Sequence, residues 1–547
     1  MAERVGLALS GGGFRAAFFH VGVLARLAEA GLLAKVEVIS TVSGGSIVGA
    51  LYYLLLKREL EAKGDGEITA AGYVALVQEV ERQLLEGVQQ NIRARIFANL
   101  FKNLRMGMPD YSRSDRIGDL YDRYLYKAAW GERETRPGAL DQREKQIEMP
   151  ELTIHPGGDE GFVPSKANEK RSEKVPILLL NATSLNSGHN WRFEAVRMGE
   201  PLPDDEAQAA TVQSIDKNIW LTQGYFEAKE DQPQLRGDQA HFPLGLAVAA
   251  SAAVPGIFKP LAITGMYEGV RVQLVDGGVQ DNQGIQGLLD RGCTRMIVSD
   301  ASGQMEDKEK PRPWLISVLG RSSSVAQDRI RDAQLIGRSG SQNVALMHLR
   351  RGLAVRSATP GTAPVETPPP EGEAAEFGVD PEVQRALSEI RTDLDFFSRA
   401  EARSLALDGY RMSGPELAKP AFAALADPGA PPSPSAWDFN AVADKIDSND
   451  AEYLKRLRAG KHRFFRPSRL HPLRALAGLL LLVVLAYCFR GRLGDAGDGI
   501  GDLAGDVAGL SVWALVPLLI ALVPLLLATA LFAWSQLSLL AMRLYER

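Results

Sequence analysis

Three short stretches combine residue types that can carry out acyl chemistry. Ser10-Gly11-Gly12-Gly13-Phe14-Arg15 lies near the N-terminus, Thr41-Val42-Ser43-Gly44-Gly45 follows it, and Asp276-Gly277-Gly278 comes far downstream. Glycines between a strand and a helix let backbone N–H groups face a negative centre with the helix dipole behind them. Glycine suits that place because the backbone must approach a ligand closely and can need positive φ. Ser43 stands between an apolar β-branched run and a helical stretch, flanked by Gly44 and Gly45. That is the setting of a nucleophile elbow, which presents a serine Oγ at the top of a sheet. Thr41 replaces the first glycine of the usual Gly-x-Ser-x-Gly. A helix N-cap is the plainer reading of the same serine.

A hydroxyl needs a base. The seven histidines are His20, His155, His189, His241, His348, His462 and His471. None stands out in the late position that the order Ser…Asp…His requires, though chain order by itself leaves His348 open. Asp276 ends the apolar run from Gln273 and is the better partner, while an aspartate before Gly-Gly also reads as a turn residue. A carboxylate is a weak base, so it must take the proton as the C–O bond forms. The glycine loop must then hold the oxyanion and lower much of the barrier. Gly11, Gly12 and Gly13 are the candidate donors, and Arg15 could steady the loop or add positive potential. Taken alone, Gly11-x-Gly13-x-x-Ala16 also meets the relaxed dinucleotide fingerprint, with Glu37 where a ribose ligand would fall. That reading, a nucleotide-binding regulator, leaves Ser43 and Asp276 without roles. No Gly-Lys-Ser/Thr follows, which excludes a Walker A loop.

These groups must be positioned by a sheet. Val5 to Leu9 reads as a strand, Ala16 to Ala30 as a helix, Lys35 to Ser40 as a second strand and Ser46 to Lys57 as a second helix. This alternation predicts a parallel sheet covered on both faces. Further strands are expected at Val175–Thr183, Gln273–Asp276 and Arg295–Asp300, the last two ending in aspartates at the carboxyl edge where ligands bind. Residues 58–130 are helical by periodicity, with Leu76, Val80, Leu84 and Val88 on one stripe. That stripe either packs on the core or forms a lid or a surface that dips into lipid. Residues 131–174 read as a polar loop, 382–407 as a helix, and 357–373 and 427–435 as proline-rich breaks.

The chain of 547 residues carries 62 Lys+Arg against 67 Asp+Glu, so bulk charge gives no reason to expect nucleic acid. Cys293 and Cys488 make neither a disulfide framework nor a zinc site, and a reducing compartment is expected for the soluble part. The N-terminal residues read straight into the first strand, so no secretory signal is expected. The tail differs. Eight Lys/Arg and one carboxylate lie between Glu452 and Arg474, followed by uncharged apolar runs at 475–489 and 510–542. Their lengths and basic flanks predict a two-helix transmembrane hairpin over 473–542, with the catalytic domain and both termini cytoplasmic.

Taken together, Gly-Gly-Gly-x-Arg, the Ser-Gly-Gly elbow and the late Asp-Gly-Gly resemble the bacterial branch of the patatin-like phospholipase family. Matching stretches are Asn181-Ala182-Thr183, the segment from Ala249 through Ser251 to Phe258, and Asp276 to Asn282. The resemblance covers about residues 5–300. It implies an α/β fold with a mostly parallel central sheet sandwiched by helices, here with a helical insert and the hairpin. It implies Ser43 as nucleophile, Asp276 as base, Gly11 to Gly13 with Arg15 as oxyanion site, and lipid acyl hydrolysis without metal or cofactor. The expected organisation is 1–57 and 175–350 as the two parts of the catalytic domain, with 58–174 as insert. Residues 351–450 would be proline-rich loops and a helical extension, and 451–472 a basic segment before the hairpin at 473–542. The expected partners are a phospholipid or other glycerolipid and the bilayer; oligomeric state is left open. A catalytically inactive membrane adaptor on the same fold is the alternative.

Overall fold

Alternating apolar runs and glycine stops fold the N-terminal stretch into β1 (Val5–Leu9), α1 (Gly13–Glu29), β2 (Val36–Val42) and α2 (Gly44–Ala62). Both strands are buried except at Glu37, as strands covered on two faces must be. Each helix begins at once after the reactive turn, α1 at Gly13 and α2 at Gly44. The computed structural model describes residues 3–92, 95, 113–131, 146–203, 206–228, 232–302, 305, 307–338, 340–368, 377–427 and 436–462.

The remaining sheet strands are β3 (Ile177–Ser184), β4 (Asn190–Phe193), β5 (Arg197–Gly199), β6 (Gly224–Tyr225), β7 (Leu261–Tyr267), β8 (Val270–Asp276), β9 (Arg295–Asp300) and β10 (Val344–His348). Five run parallel in the order β10-β9-β1-β2-β3. From β3 onward the sheet is antiparallel, through β4, β5 and β6 on one path and the β7–β8 hairpin on another. The strand ending at Asp276 is therefore not one of the parallel set, contrary to the expectation from its terminal aspartate. β8 pairs antiparallel with β3 on one side, and on the other with β7, from which only Glu268 and Gly269 separate it, a connection that permits only antiparallel pairing.

Five further helices matter for the site: α3 (Ala70–Val88), α4 (Arg113–Tyr121), α5 (Leu244–Ser251), α6 (Leu315–Leu335) and α7 (Arg399–Leu417). The stripe Leu76, Val80, Leu84 and Val88 is buried in the main core, so it packs rather than forming a lid. Helix α7 crosses α1 with backbones in contact. A Cβ on Gly22 would lie 1.8 Å from the Ala406 carbonyl oxygen, and one on Gly409 2.1 Å from that of Phe19. The helix expected over 382–407 is two helices, Pro381–Ser388 and α7. Ser398 and Glu401 form a capping box that starts α7 afresh. Residues 146–174 form short helical turns. Among the described residues no helix is long and apolar enough to cross a membrane. The hairpin expected at 473–542 lies outside the described residues, as does the basic stretch from 463 onward.

Candidate active site

Strand register brings Ser43 and Asp276 together. β2 runs along β3 until Val42 stands opposite Asn181. β8 runs the other way along β3 until Asp276 stands opposite Ala182. β4 pairs with Leu180–Thr183 as well, so it must take the other edge of β3, leaving β2 and β8 end to end on one edge. The residue after β2 and the last residue of β8 therefore converge. The Ser43 hydroxyl interacts with the Asp276 carboxyl and favours its charged form.

Ser43 has φ 50° and ψ −115°, and its side chain makes no helix-capping bond. The N-cap reading therefore fails, and the positive φ of a non-glycine residue is the strain of an elbow. The strain is held by a buried hydroxyl network. Ser43 N–H donates to Ser251 Oγ at 2.9 Å, and Ser251 Oγ–H donates to the Asn181 carbonyl at 2.6 Å. Ser46 Oγ lies 2.8 Å from Ser251 Oγ and 2.9 Å from Thr41 Oγ1. Thr41 fits where glycine is usual because its methyl faces Gly49, where a Cβ would stand 2.6 Å from Thr41 Cγ2. Gly44 and Gly45 are required by the loop behind them. A Cβ on Gly44 would lie 2.0 Å from the Gly13 carbonyl oxygen, and one on Gly45 2.1 Å from that of Leu9.

Asp276 is only 6% exposed. Burial raises its pKa to about 6, against the opposing bonds from Gly278 N–H and Ser43. Gly278 N–H donates to its Oδ1 at 2.7 Å, its own N–H donates to the Ala253 carbonyl at 2.9 Å, and its carbonyl accepts from Thr183 Oγ1 at 3.0 Å. It is thus a turn residue and a partner of Ser43 at once.

The glycine loop divides its donors. Gly11 N–H donates to the Asn282 carbonyl at 2.9 Å, so it is not a free oxyanion donor, contrary to expectation. The N–H groups of Gly12 and Gly13 have no acceptor among the described residues, and both residues have positive φ, 135° and 61°. Arg15 also departs from its expected place. Its Nη1 donates to the carbonyls of Ser388 and Ile390 and its Nη2 to those of Ala301 and Ser302, at 2.7–3.1 Å. It clamps the loop to two neighbouring segments, and burial lowers its pKa to about 10, which leaves it charged at neutral pH. Underneath, His20 donates from Nε2 to the Ser10 carbonyl at 2.9 Å and accepts at Nδ1 from Ser299 Oγ at 2.6 Å. Burial lowers its pKa to about 4, so it is neutral. His348 lies at the end of β10, three strands from β2. Its Nδ1 accepts from Arg350 N–H at 3.1 Å, which removes it as base for Ser43. Asp300, the other strand-end aspartate, accepts from Ser302 N–H and Oγ–H at 3.0 and 2.6 Å and holds the turn after β9.

Three site residues had no role assigned from the sequence. Ser251 and Asn282 lie in stretches that carry the family resemblance, so a signal existed but not its meaning. Asn282 Oδ1 occupies the space beside two glycines. A Cβ on Gly11 would stand 2.2 Å from it, and one on Gly278 2.5 Å. Asn282 thereby ties the Asp276 turn to the glycine loop. Tyr121, at the end of α4, is fully buried with its hydroxyl unpartnered among the described residues. Burial first, and then the Asp276 charge, raises its pKa. No local sequence signal marked it. Among the described residues no group of three His, Cys, Asp or Glu side chains is arranged to hold a metal ion.

The sheet and site define an α/β protein in which a strained serine and a buried aspartate meet beside a glycine loop. The patatin-like phospholipase profile matches residues 7–289, more than half of the chain, and the chain belongs to that family. No curated protein matches it. Among solved structures it is similar to human GIVD cytosolic phospholipase A2 in complex with methyl gamma-linolenyl fluorophosphonate and terbium chloride, at 13% identity and TM-score 0.39. That match covers 77% of this chain and 59% of the human one. VipD from Legionella pneumophila is similar at 14% identity and TM-score 0.26, over 93% of this chain and 89% of that one.

Proposed function

We propose that the protein is a serine lipid acyl hydrolase of the phospholipase A or lysophospholipase type. Ser43 Oγ attacks the ester carbonyl of a glycerolipid as its proton passes to the Asp276 carboxylate. The developing oxyanion is held by the N–H groups of Gly12 and Gly13 at the start of α1. The leaving alcohol takes the proton from Asp276, and the acyl group stays on Ser43 as an ester. Water then attacks that ester with Asp276 again accepting the proton, releasing the fatty acid and restoring Ser43. A carboxylate raised to about 6 is a better base than an ordinary one and is still mostly ionised at pH 7.

The observation that carries this reading is the convergence of Ser43 and Asp276 on one edge of β3, with the serine at positive φ and uncapped. The apolar runs within 473–542 would anchor the enzyme as a two-helix hairpin with its catalytic part and both termini in the cytoplasm. Anchoring raises the effective concentration of bilayer substrate without any new contact at the site. The test is to incubate the protein with a mixed lipid extract and identify released species by mass spectrometry. Free fatty acid and the matching deacylated lipid are expected from wild type and absent with Ser43→Ala. Equal release by that variant would sink the proposal.

A further inference from the structure

Helix α6 is half anchored and half exposed. Near its C-terminal end Gln334 hydrogen-bonds Asp281, Arg331 is buried, and the helix packs against the Gly277–Val279 turn just after Asp276. Toward its N-terminus it leaves the body. Residues 307–315 and 317–320 are all exposed. Trp314 is 73% exposed, Leu315 74% and Leu319 61%, and Val318 is also exposed. Leu315, Val318 and Leu319 recur at helical spacing and form one apolar stripe. From Arg331 to Leu319 the helix rises about 18 Å at roughly 1.5 Å per residue.

Single exposed apolar residues are ordinary, but a contiguous exposed stripe marks an interaction site. We propose that the N-terminal half of α6, with Trp314, is a docking surface for an anionic lipid bilayer and seats the Asp276 side of the active site on it. This deepens the lipid-hydrolase reading and rests on it for the choice of partner. Charge and placement both favour lipid. Lys308, Lys310 and Arg312 precede the stripe and Arg321 follows it, against Glu306, Asp307 and Glu309 in the same sequence, and Glu309 lies 3.4 Å from Arg356. Cations beside a tryptophan and leucines form the pattern of a helix lying in a membrane interface, where ammonium and guanidinium groups meet anionic headgroups. The loop that accepts Asp276 N–H exposes Val254 and Ile257 as well. Both segments that hold the Asp276 turn therefore show apolar side chains to the outside.

The test places a bromine- and iodide-quenchable fluorophore on Leu319→Cys in the full chain carrying Cys488→Ser and Ser43→Ala. The protein is reconstituted into phosphatidylcholine vesicles with brominated acyl chains, with and without phosphatidylglycerol. The same fluorophore on exposed Ser357→Cys is the control. Bromolipid should quench the label at 319 in the anionic vesicles, more weakly without phosphatidylglycerol, and aqueous iodide should not reach it; the control should behave in the opposite way. Iodide quenching at 319, or quenching by neither agent because a second copy or residues 473–542 cover the stripe, would overturn the proposal, as would equal bromolipid quenching at 357. The readout needs no turnover, so it stands apart from failure of the catalytic reading.

Discussion

The segments that follow β1 and β9 leave the same edge of the sheet side by side, yet they are built in opposite ways. After β1, Ser10 to Arg15 are buried except for the half-buried Gly12 and Gly13. Ser10 takes bonds from Gly45, Ala301 and His20, Gly11 is tied to Asn282, and Arg15 makes four bonds to neighbouring carbonyls. The Gly12 and Gly13 N–H groups are left without an acceptor among the described residues. After β9 the chain soon emerges into the exposed stretch from Asp307 to Gly320 with its leucines outward. The contrast is physical. Dipoles that stabilise an oxyanion act only if already fixed and dry, whereas a surface meant for another phase must keep its apolar groups free.

Four measurements break or sharpen this contrast. Gly12→Ala should have the largest effect. Its Cβ would meet the Ala301 carbonyl oxygen at 2.9 Å, and φ is 135°, so kcat should fall about 10²–10³-fold, as when an oxyanion donor is lost. The pH profile comes next. In the proposed mechanism Asp276 acts as base only when ionised, and its pKa is raised to about 6. Activity should therefore be flat above that pH and fall about tenfold per unit below it. A limb near the ordinary carboxylate value of about 4 would point to a different base. Ser251→Ala removes the acceptor of the buried Ser43 N–H, so stability should drop by about 1–3 kcal/mol in denaturant titration. Leu319→Ser on the exposed stripe should leave stability within about 0.5 kcal/mol. A larger loss there would mean that the stripe is packed and the contrast false.

Much of the site is legible in the order of residues alone. β1 and β2 are short apolar runs stopped by glycine and serine, and such local signals survive folding; β1 and β9 match their expected bounds. Ser43 and Asp276 stand out because a hydroxyl on a strand-to-helix turn and a carboxyl before two glycines are rare in combination. The direction of β8 does not, since Gln273 to Asp276 looks the same in a parallel or an antiparallel strand, and only its pairing with β3 decides. Arg15 is readable as a cation near the loop but not as a clamp, because its carbonyl partners at 301–302 and 388–390 are set by tertiary packing. Gly11 is lost as a donor for the same reason, through the Asn282 carbonyl. The break between Ser388 and Arg399 escapes notice because helical periodicity continues across it, while the new start is set by the Ser398–Glu401 capping box.

The pairing of Ser43 with Asp276 is tested most directly by reacting the protein with a fluorophosphonate and mapping the adduct by peptide mass spectrometry. One adduct on Ser43 is predicted, forming far more slowly in Asp276→Asn at pH 8. An adduct on another serine, or an unchanged labelling rate in Asp276→Asn, would contradict it.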